Sequence, residues 1–534
     1  MLRSKKALIS VSDKAGIADF AGELIAIGWD ITASPGTAKV LREAGHRVTD
    51  IQEITRIPAI LGHRVFSEHI KIAGALVAEP NESHDSDRVQ YDIPWFDLLC
   101  VDLYPLSDAI ARGKTEKDVI DSTDIGGITL IRNAVKGRRI VIADPIDRPF
   151  VIARLKKHED VTEEVRRELC AKAELLCARY CLESAMYIGR NEIDGFIGTR
   201  CIDLCYGENP YQSDAAFFDC DSDDELSIGE FKQLSGDKPS YVNITSLDAI
   251  VRILSRLSAA FSTHYQGKVP YIAIGAKHGS PVGASIDWDA QENALQKMLW
   301  GDPKVIWGGE VITNFSISEE IAGILLSDTR RRKMGGTESW MLDLIAAPDF
   351  DHKSMEIIGS RGKRRVFCNP LLSRLKPSGG FVYRNVLGGF VKQPVPNYVL
   401  KEDDMDWAGE PLFGAEFDTL LLSWGIAWSM HMNGIALARD RQLLGCDGQP
   451  SSVGAVQTAI NKAREAGHSI AKAVFAANAF LPFPDSAELL AANGCMGGVL
   501  PKGGEKEGSI RDLFAGRGMR VAFTPQMFRG FSRH

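Results

Sequence analysis

Lys277 and His278 stand side by side where an apolar segment, Val269–Ile274, gives way to a run punctuated by Gly279, Pro281 and Gly283, which reads as a loop. An ammonium beside an imidazole puts a cation and a titratable base together. Such a pair can take a proton from an attacking amine or stabilise an oxyanion. Alone, a basic pair of this kind is more often an exposed loop feature. Ser10-Val11-Ser12-Asp13-Lys14 and Ser34-Pro35-Gly36-Thr37 each offer hydroxyls and backbone N–H groups ahead of an apparent helix, a pattern that suits a phosphate as well as a simple cap. Asp124-Ile125-Gly126-Gly127 opens a further helix carrying Arg132 and Lys136, and paired glycines let a ligand approach the backbone. Asp102-Leu103-Tyr104-Pro105 ends an apolar segment in polar groups, and Asn433 stands just ahead of another.

The elements that must hold these residues follow a βα rhythm. Residues 7–11 read as a buried strand, followed by a helix over about 17–27. A second strand over 30–33 precedes a helix over 38–44, and further strands cover 94–101 and 139–143. Strand, polar turn and helix in repetition predict a parallel sheet whose reactive groups sit at strand ends. A helical pattern fills roughly 162–188, and a drop into Gly and polar residues over 191–199 suggests a boundary. Beyond it come Cys205-Tyr206-Gly207-Glu208-Asn209-Pro210-Tyr211-Gln212, the Lys277-His278 pair and, about thirty residues on, Trp307-Gly308-Gly309. Residues 349–406 are polar with few periodic stretches and read as loops that cover a site or meet a partner. An apolar helix over 417–430 leads to Asn433 and a strand over 435–438. The run from Gly445 to Ser452 reads as a loop ahead of a helix over 456–466.

At 534 residues the chain exceeds what one core supports. Its 45% hydrophobic and 25% charged content is that of an ordinary globular protein, and a net charge of −8 argues against non-specific nucleic-acid binding. The 10 Cys include no CxxC pair, and no His/Cys cluster has zinc-ligand spacing, so reduced thiols and no metal are expected. The first strand follows the first six residues directly, leaving no room for a signal peptide, and no apolar run is long enough to span a bilayer. A soluble, cytoplasmic protein is expected.

Taken together the blocks resemble, in collinear order over essentially the whole chain, the bifunctional purine-biosynthesis family. That family joins aminoimidazole-carboxamide ribonucleotide (AICAR) formyltransferase to inosinate (IMP) cyclohydrolase. The resemblance rests on Ala7–Lys14, Gly36–Lys39, Leu41–Gly45, Asp124–Gly127 with Thr129, Arg132 and Lys136, and Tyr206–Pro210 with Gln212. It continues through Lys277-His278 with Pro281 and Gly283, Gly308-Gly309, Asn433, Pro482-Phe483 and the closing Phe531 to His534. It implies an α/β protein: a methylglyoxal-synthase-like parallel sheet over 1–195 acting as cyclohydrolase, and a formyltransferase over 200–534 built from two cytidine-deaminase-like subdomains without zinc.

By the same resemblance, formyl transfer from 10-formyltetrahydrofolate would use His278 as base, Lys277 as electrostatic partner and proton source, and Asn433 as donor to the formyl oxygen. Tyr104, Asp124 and Lys136 would serve ring closure. Ser12, Lys14, Ser34, Gly36, Thr37, Arg64, Ser67, Gly126 and Gly127 would surround the nucleotide in the first domain. Tyr206, Gly207, Asn209, Gly308, Gly309, Phe483 and Arg529 would do so in the second. The resemblance further implies an AICAR-like nucleotide and folate as ligands, a homodimer with the formyltransferase site at the subunit interface, no nucleic-acid or membrane partner, and room for a monovalent cation such as K+.

This chain departs from the family pattern at several of these blocks. Phe66 stands where a cyclohydrolase cation is usual, Asp102 where an Asn is usual, and Cys205 and Ser452 where arginines are usual. Arg529, Arg533 and Lys502 are the candidate replacement cations. A paralogue acting on an AICAR-like nucleotide, such as an aminopyrazole carboxamide C-nucleotide, is therefore an alternative, as is a half-active or regulatory nucleotide-binding homologue.

Overall fold

Buried parallel strands are continuous apolar runs because both faces of the sheet are covered, and Ala7-Leu8-Ile9 and Leu98–Val101 are such runs, all buried. The structure, a computed structural model, describes residues 4–61, 67–157, 161–190, 192–220, 224–335, 337–360, 362–375 and 379–530. It divides into two compact units, Met1–Ile197 and Gly198–His534.

In the first unit β1 (Lys6–Ser10), β2 (Asp30–Ala33), β3 (Thr49–Asp50), β4 (Leu98–Val101) and β5 (Ile140–Ile142) form a parallel sheet in the order β3-β2-β1-β4-β5. Ala7, Ile9 and Cys100 face one apolar cluster with the helices Ile17–Ala26 and Arg148–Lys156. Leu8, Leu99 and Val101 face another with Ile70–Val77, Gly126–Lys136 and Glu163–Ile188. The last of these starts where expected, its Thr162 hydroxyl accepting from Val165 N–H. The helix expected from residue 38 begins earlier, at Pro35. Proline's fixed φ suits the first helical position, so Ser34–Thr37 is a helix start and not a free turn.

The second unit carries a small antiparallel pair, β6 (Thr199–Asp203) and β7 (Ala216–Asp219), and then one 12-stranded sheet. The sheet contains β8 (Lys232–Ser235), β9 (Tyr271–Lys277), β10 (Ser280–Asp287), β11 (Gly309–Thr313), β12 (Leu342–Ala347) and β13 (Arg365–Cys368). An exposed ribbon, β14 (Phe381–Val386) with β15 (Gly389–Pro394), interrupts it. The sheet resumes with β16 (Asp406–Ala408), β17 (Gly434–Arg439), β18 (Gln442–Gly448), β19 (Val474–Ala477), β20 (Gly497–Pro501) and β21 (Arg520–Thr524). Its order is β16-β21-β20-β19-β17-β18-β10-β9-β11-β12-β13-β8.

That order is a repeat. An apolar helix (Tyr241–His264 or Ala415–Ala427) precedes an antiparallel hairpin (β9–β10 or β17–β18). Three mutually parallel strands follow, each reached through a helix and the first of them antiparallel to β9 or β17, and the halves join antiparallel at Ser285 opposite Gln442. The first long helix is set by a capping box between Ser240 and Asn243 and by Leu247, Ile250, Leu254, Leu257 and Phe261, whose spacing buries one face. Truncating any of these to Ala costs about 2–5 kcal/mol.

Two runs expected to be loops are strands. Gly279–Gly283 lies in the β9–β10 hairpin, and Gly445–Gly448 belongs to β18. Within the segment 349–406 there is likewise ordered structure: the helix His352–Gly359, β13 and the ribbon.

Candidate functional site

Lys277 and Ser280 close the β9–β10 hairpin, and both residues between them have positive φ, 52° at His278 and 71° at Gly279. Two successive positive φ values make a two-residue turn whose twist matches that of the strands. The turn leaves the His278 side chain exposed at the sheet's end. Lys277 folds back: its Nζ donates to the carbonyls of Trp307, at 2.7 Å, and Gly308, at 2.6 Å. Gly308 has φ 66°, and a Cβ there would lie 2.7 Å from the Lys277 Nζ, so a side chain would strain the backbone and push the ammonium aside. Gly309 starts β11, where a Cβ would meet Ala276 O at 2.4 Å.

Asn433 reaches the same end of the sheet from the other half. Cys446 Sγ donates to Pro281 O at 3.2 Å, carrying the Ser285–Gln442 register along to the hairpin tip. The Gln449 carbonyl, one residue past β18, accepts from Asn433 N–H at 2.7 Å, so the His278 turn and Asn433 belong to the same end of the sheet. Asn433 Nδ2 donates one hydrogen to Pro450 O at 2.8 Å, which leaves its second amide hydrogen. A narrow cavity of about 10 Å³ beside it is lined by Gly434, Ser452, Val456 and Phe480 among others.

The other expected residues of this unit distribute around that end. Tyr206 O accepts from Tyr241 N–H at the start of the long helix. Gly207 and Asn209 close a turn with Gln212, Gly207 N–H donating to its carbonyl at 2.8 Å and Asn209 N–H to its Oε1 at 2.7 Å. Phe483 is exposed at the start of the helix Pro484–Ala492. Arg529 precedes Gly530, whose N–H donates to Asn478 O at 3.0 Å. Lys502 is not a free replacement cation, because its Nζ pairs with Asp406 at 2.8 Å. Phe531, Arg533 and His534 lie outside the described residues.

Sequence reasoning missed three residues here. Asn478 is fully buried, accepts from Gly434 N–H at 2.7 Å and donates to Met430 O at 3.1 Å. In the other half, Asn314 accepts from Ile272 N–H at 2.7 Å and donates to Pro270 O at 2.8 Å. Each clamps the entry to a hairpin, and the signal was an Asn at the end of an apolar strand in both halves. Glu310, opposite Ala276 in β11, is buried and its Oε2 has no hydrogen-bond partner. Burial pushes its carboxyl up to about 7; the nearby Lys277 charge and Ser246 hydroxyl oppose the shift and Asp343 adds to it.

In the first unit the strand order reverses between β1 and β4, the crevice where such sheets hold ligands. Here Lys14 Nζ donates to Val11 O and to Thr37 Oγ1, the latter at 3.1 Å, and Ser34 Oγ donates to Thr37 Oγ1 at 3.1 Å. Gly36 sits between them in the first turn of its helix. Burial lowers the Lys14 pKa, against the raising charges of Asp102 and Asp13. Asp124 is buried and accepts from Gly127 N–H at 2.6 Å and Tyr104 N–H at 3.1 Å. Burial raises its pKa despite those bonds, and Asp102 and Glu68 add to the rise. Burial and Asp124 also raise that of Tyr104.

Ser67 Oγ, buried with no hydrogen-bond partner among the described residues, lies where a Cβ on Gly126 would approach to 2.7 Å. A cleft of about 380 Å³ opens beside Tyr104, lined also by Arg112, Lys114 and Asp121. Tyr104, Asp124, Ser67, Gly126 and Gly127 therefore come together. Lys136 does not join them: it is exposed in the last turn of the helix Gly126–Lys136, about 15 Å along the axis from Gly126. Arg64 and Phe66 lie outside the described residues. Among the described residues no group of His, Cys, Asp and Glu could hold a metal ion, and no helix is long and apolar enough to cross a membrane.

A family model described as AICARFT/IMPCHase bienzyme matches residues 137–462, and one described as MGS-like domain matches residues 16–129. A bifunctional purine biosynthesis protein PurH from Persephonella marina is 30% identical, over 97% of this chain and 98% of that one. Its namesake from Bacillus mycoides is also 30% identical over the same shares. That from Bacillus cytotoxicus is 31% identical over 95% of each. A crystal structure of ForH shares 31% identity with a TM-score of 0.30, covering 35% of this chain and 99% of that one.

Proposed function

Because this chain belongs to the AICARFT/IMPCHase bienzyme family, we propose that it formylates the amine of AICAR from 10-formyltetrahydrofolate in the Gly198–His534 unit and closes the product to IMP in the Met1–Ile197 unit. The observation that supports this reading is that the His278 turn and Asn433 stand at the same end of one sheet, whose halves are tied there by Cys446 and Pro281. The substrate amine is a poor nucleophile, its lone pair delocalised into ring and carboxamide, so deprotonation and oxyanion stabilisation are needed together. His278 takes the amine proton as the amine nitrogen bonds the formyl carbon. Asn433 gives its second amide hydrogen to the developing oxyanion. The bond to the folate nitrogen then breaks, and Lys277 supplies that nitrogen's proton. In the first unit the carboxamide nitrogen attacks the new formyl carbon and water is lost, beside Tyr104 and Asp124. The chain acts as a cytoplasmic homodimer in this reading, and the exposed apolar Phe381, Val386, Leu387 and Val391 of the ribbon support a partner surface.

A second reading, formylation of an AICAR-like nucleotide such as an aminopyrazole carboxamide C-nucleotide, rests on this chain's departures from the family pattern at Phe66, Asp102, Cys205 and Ser452. Purified protein given 10-formyltetrahydrofolate and AICAR should release tetrahydrofolate. Release with the pyrazole nucleotide alone selects the second reading, and release with neither sinks both.

A further inference from the structure

The crevice between β1 and β4 already contains an anion. Asp102, the residue after β4, accepts from Ser12 N–H through Oδ1 and from Asp13 N–H through Oδ2 at 3.3 Å. Those two amides follow β1 and point across the switch point, which is where backbone donors of an open sheet receive a bound anion. The side chain is largely enclosed, with the Arg148 guanidinium 4.0 Å from Oδ2. Arg148 is itself buried and anchored to Ala15 O at 3.1 Å. Lys14 spends its ammonium on Val11 O and Thr37 Oγ1, and Thr37 Oγ1 also accepts from Val11 N–H at 3.3 Å. The Ser12 and Asp13 amides and the Lys14 ammonium, the donors nearest the end of β1, therefore each have an internal acceptor. The charged groups around the carboxylate are Lys14 and Arg148 on one side of the balance and Asp13 and Asp124 on the other.

We infer that Asp102 is a specificity-determining residue of the first unit, a built-in anion that closes the Ser12–Asp13 amide pair to phosphate. An incoming phosphate would have to displace a carboxylate from its two N–H donors and then sit against its charge. The ligand group that suits the closed arrangement is an uncharged donor, such as the hydroxyls of a sugar, which a carboxylate held this way accepts. This inference rests on the reading of the first unit as a nucleotide-handling unit and adds which part of the nucleotide faces β1 and β4.

The test is calorimetric titration of the full-length protein with inorganic phosphate, comparing wild type, Asp102→Asn and Asp102→Glu. Asp102→Asn is expected to bind phosphate at least tenfold more tightly than wild type, and Asp102→Glu, which keeps the charge, is expected to show no such gain. Equal affinity of wild type and Asp102→Asn, or an equal gain in Asp102→Glu, overturns the inference. If Asp102→Asn fails to fold, as judged by its circular dichroism, Asp102→Ser carries the same expectations. The titration contains neither folate nor amine. Its failure leaves the formyl-transfer reading standing, and failure of formyl transfer leaves the measured phosphate affinities as they are.

Discussion

Replacing Glu310 by Gln tests whether a carboxyl group is held without a full partner behind the Lys277 clasp. Unfolded, this group ionises near its ordinary value of 4.5; in the native sheet burial pushes it to about 7. Between those values the native state holds a proton that the unfolded chain has lost, so stability falls as pH rises through the interval. The full contribution is present below about 4.5 and gone above about 7. At about 1.4 kcal/mol per pKa unit the interval amounts to about 3 kcal/mol. Gln keeps the shape of the protonated acid and cannot ionise. The variant's stability relative to wild type should therefore rise by about 3 kcal/mol from pH 4.5 to pH 8. Urea unfolding at a series of pH values, followed by the fluorescence of the buried Trp340 and Trp424, measures the difference. A difference independent of pH would refute the argument, because it would mean that Glu310 titrates alike in both states.

Three further outcomes are expected. His278→Asn, which tolerates the positive φ of the turn better than Ala, should abolish formyl transfer while a pre-formylated nucleotide is still cyclised; loss of both activities in the folded variant would defeat the assignment of two separate sites. Gly308→Ala should lower kcat at least tenfold by pushing the Lys277 Nζ off its carbonyls, with about 1 kcal/mol of destabilisation from the strained φ; an unchanged kcat would remove Lys277 from the reaction. Asn478→Leu leaves Gly434 N–H buried without its side-chain acceptor and should cost about 1–3 kcal/mol in urea unfolding, whereas no measurable loss would deny it a clamping role.

The βα rhythm of the first unit could be read from the chain because its strands are uninterrupted apolar runs and its longest helix carries an explicit Thr162 cap. The two strands misread as loops share one physical cause. A Cβ on Gly283 would meet Met298 O at 2.1 Å, and one on Gly445 would meet Ala459 O at 2.4 Å. In each hairpin the second strand carries a glycine because the next helix presses its backbone onto the sheet. Those glycines, with Pro281 beside the β10 bulge, mimic loop punctuation in one dimension. The Lys277-His278 pair and Asn433 were legible as reactive types ahead of or behind apolar strands. Their approach was not, because it depends on the antiparallel join of two halves more than 150 residues apart in the chain. Glu310 was hidden for another reason: a single acid after two glycines looks like a solvated strand end, and only the packing of the long helix over β11 buries it. The helix Gly126–Lys136 shows the converse, since shared membership of a sequence block brought Asp124 to Tyr104 but left Lys136 at the far end.

The hairpin tips of the two halves point to opposite ends of the sheet, and only one of them is equipped for chemistry. The other, at Asp440 and Arg441, has the same backbone turn, but Arg441 is committed to the buried Asp418, which also receives Tyr265 and Trp288. If formyl transfer runs as proposed, one tip is a tool and its twin a rivet, and neither half suffices alone: the first would keep a base without its amide partner, and the second an amide with nothing to deprotonate its guest.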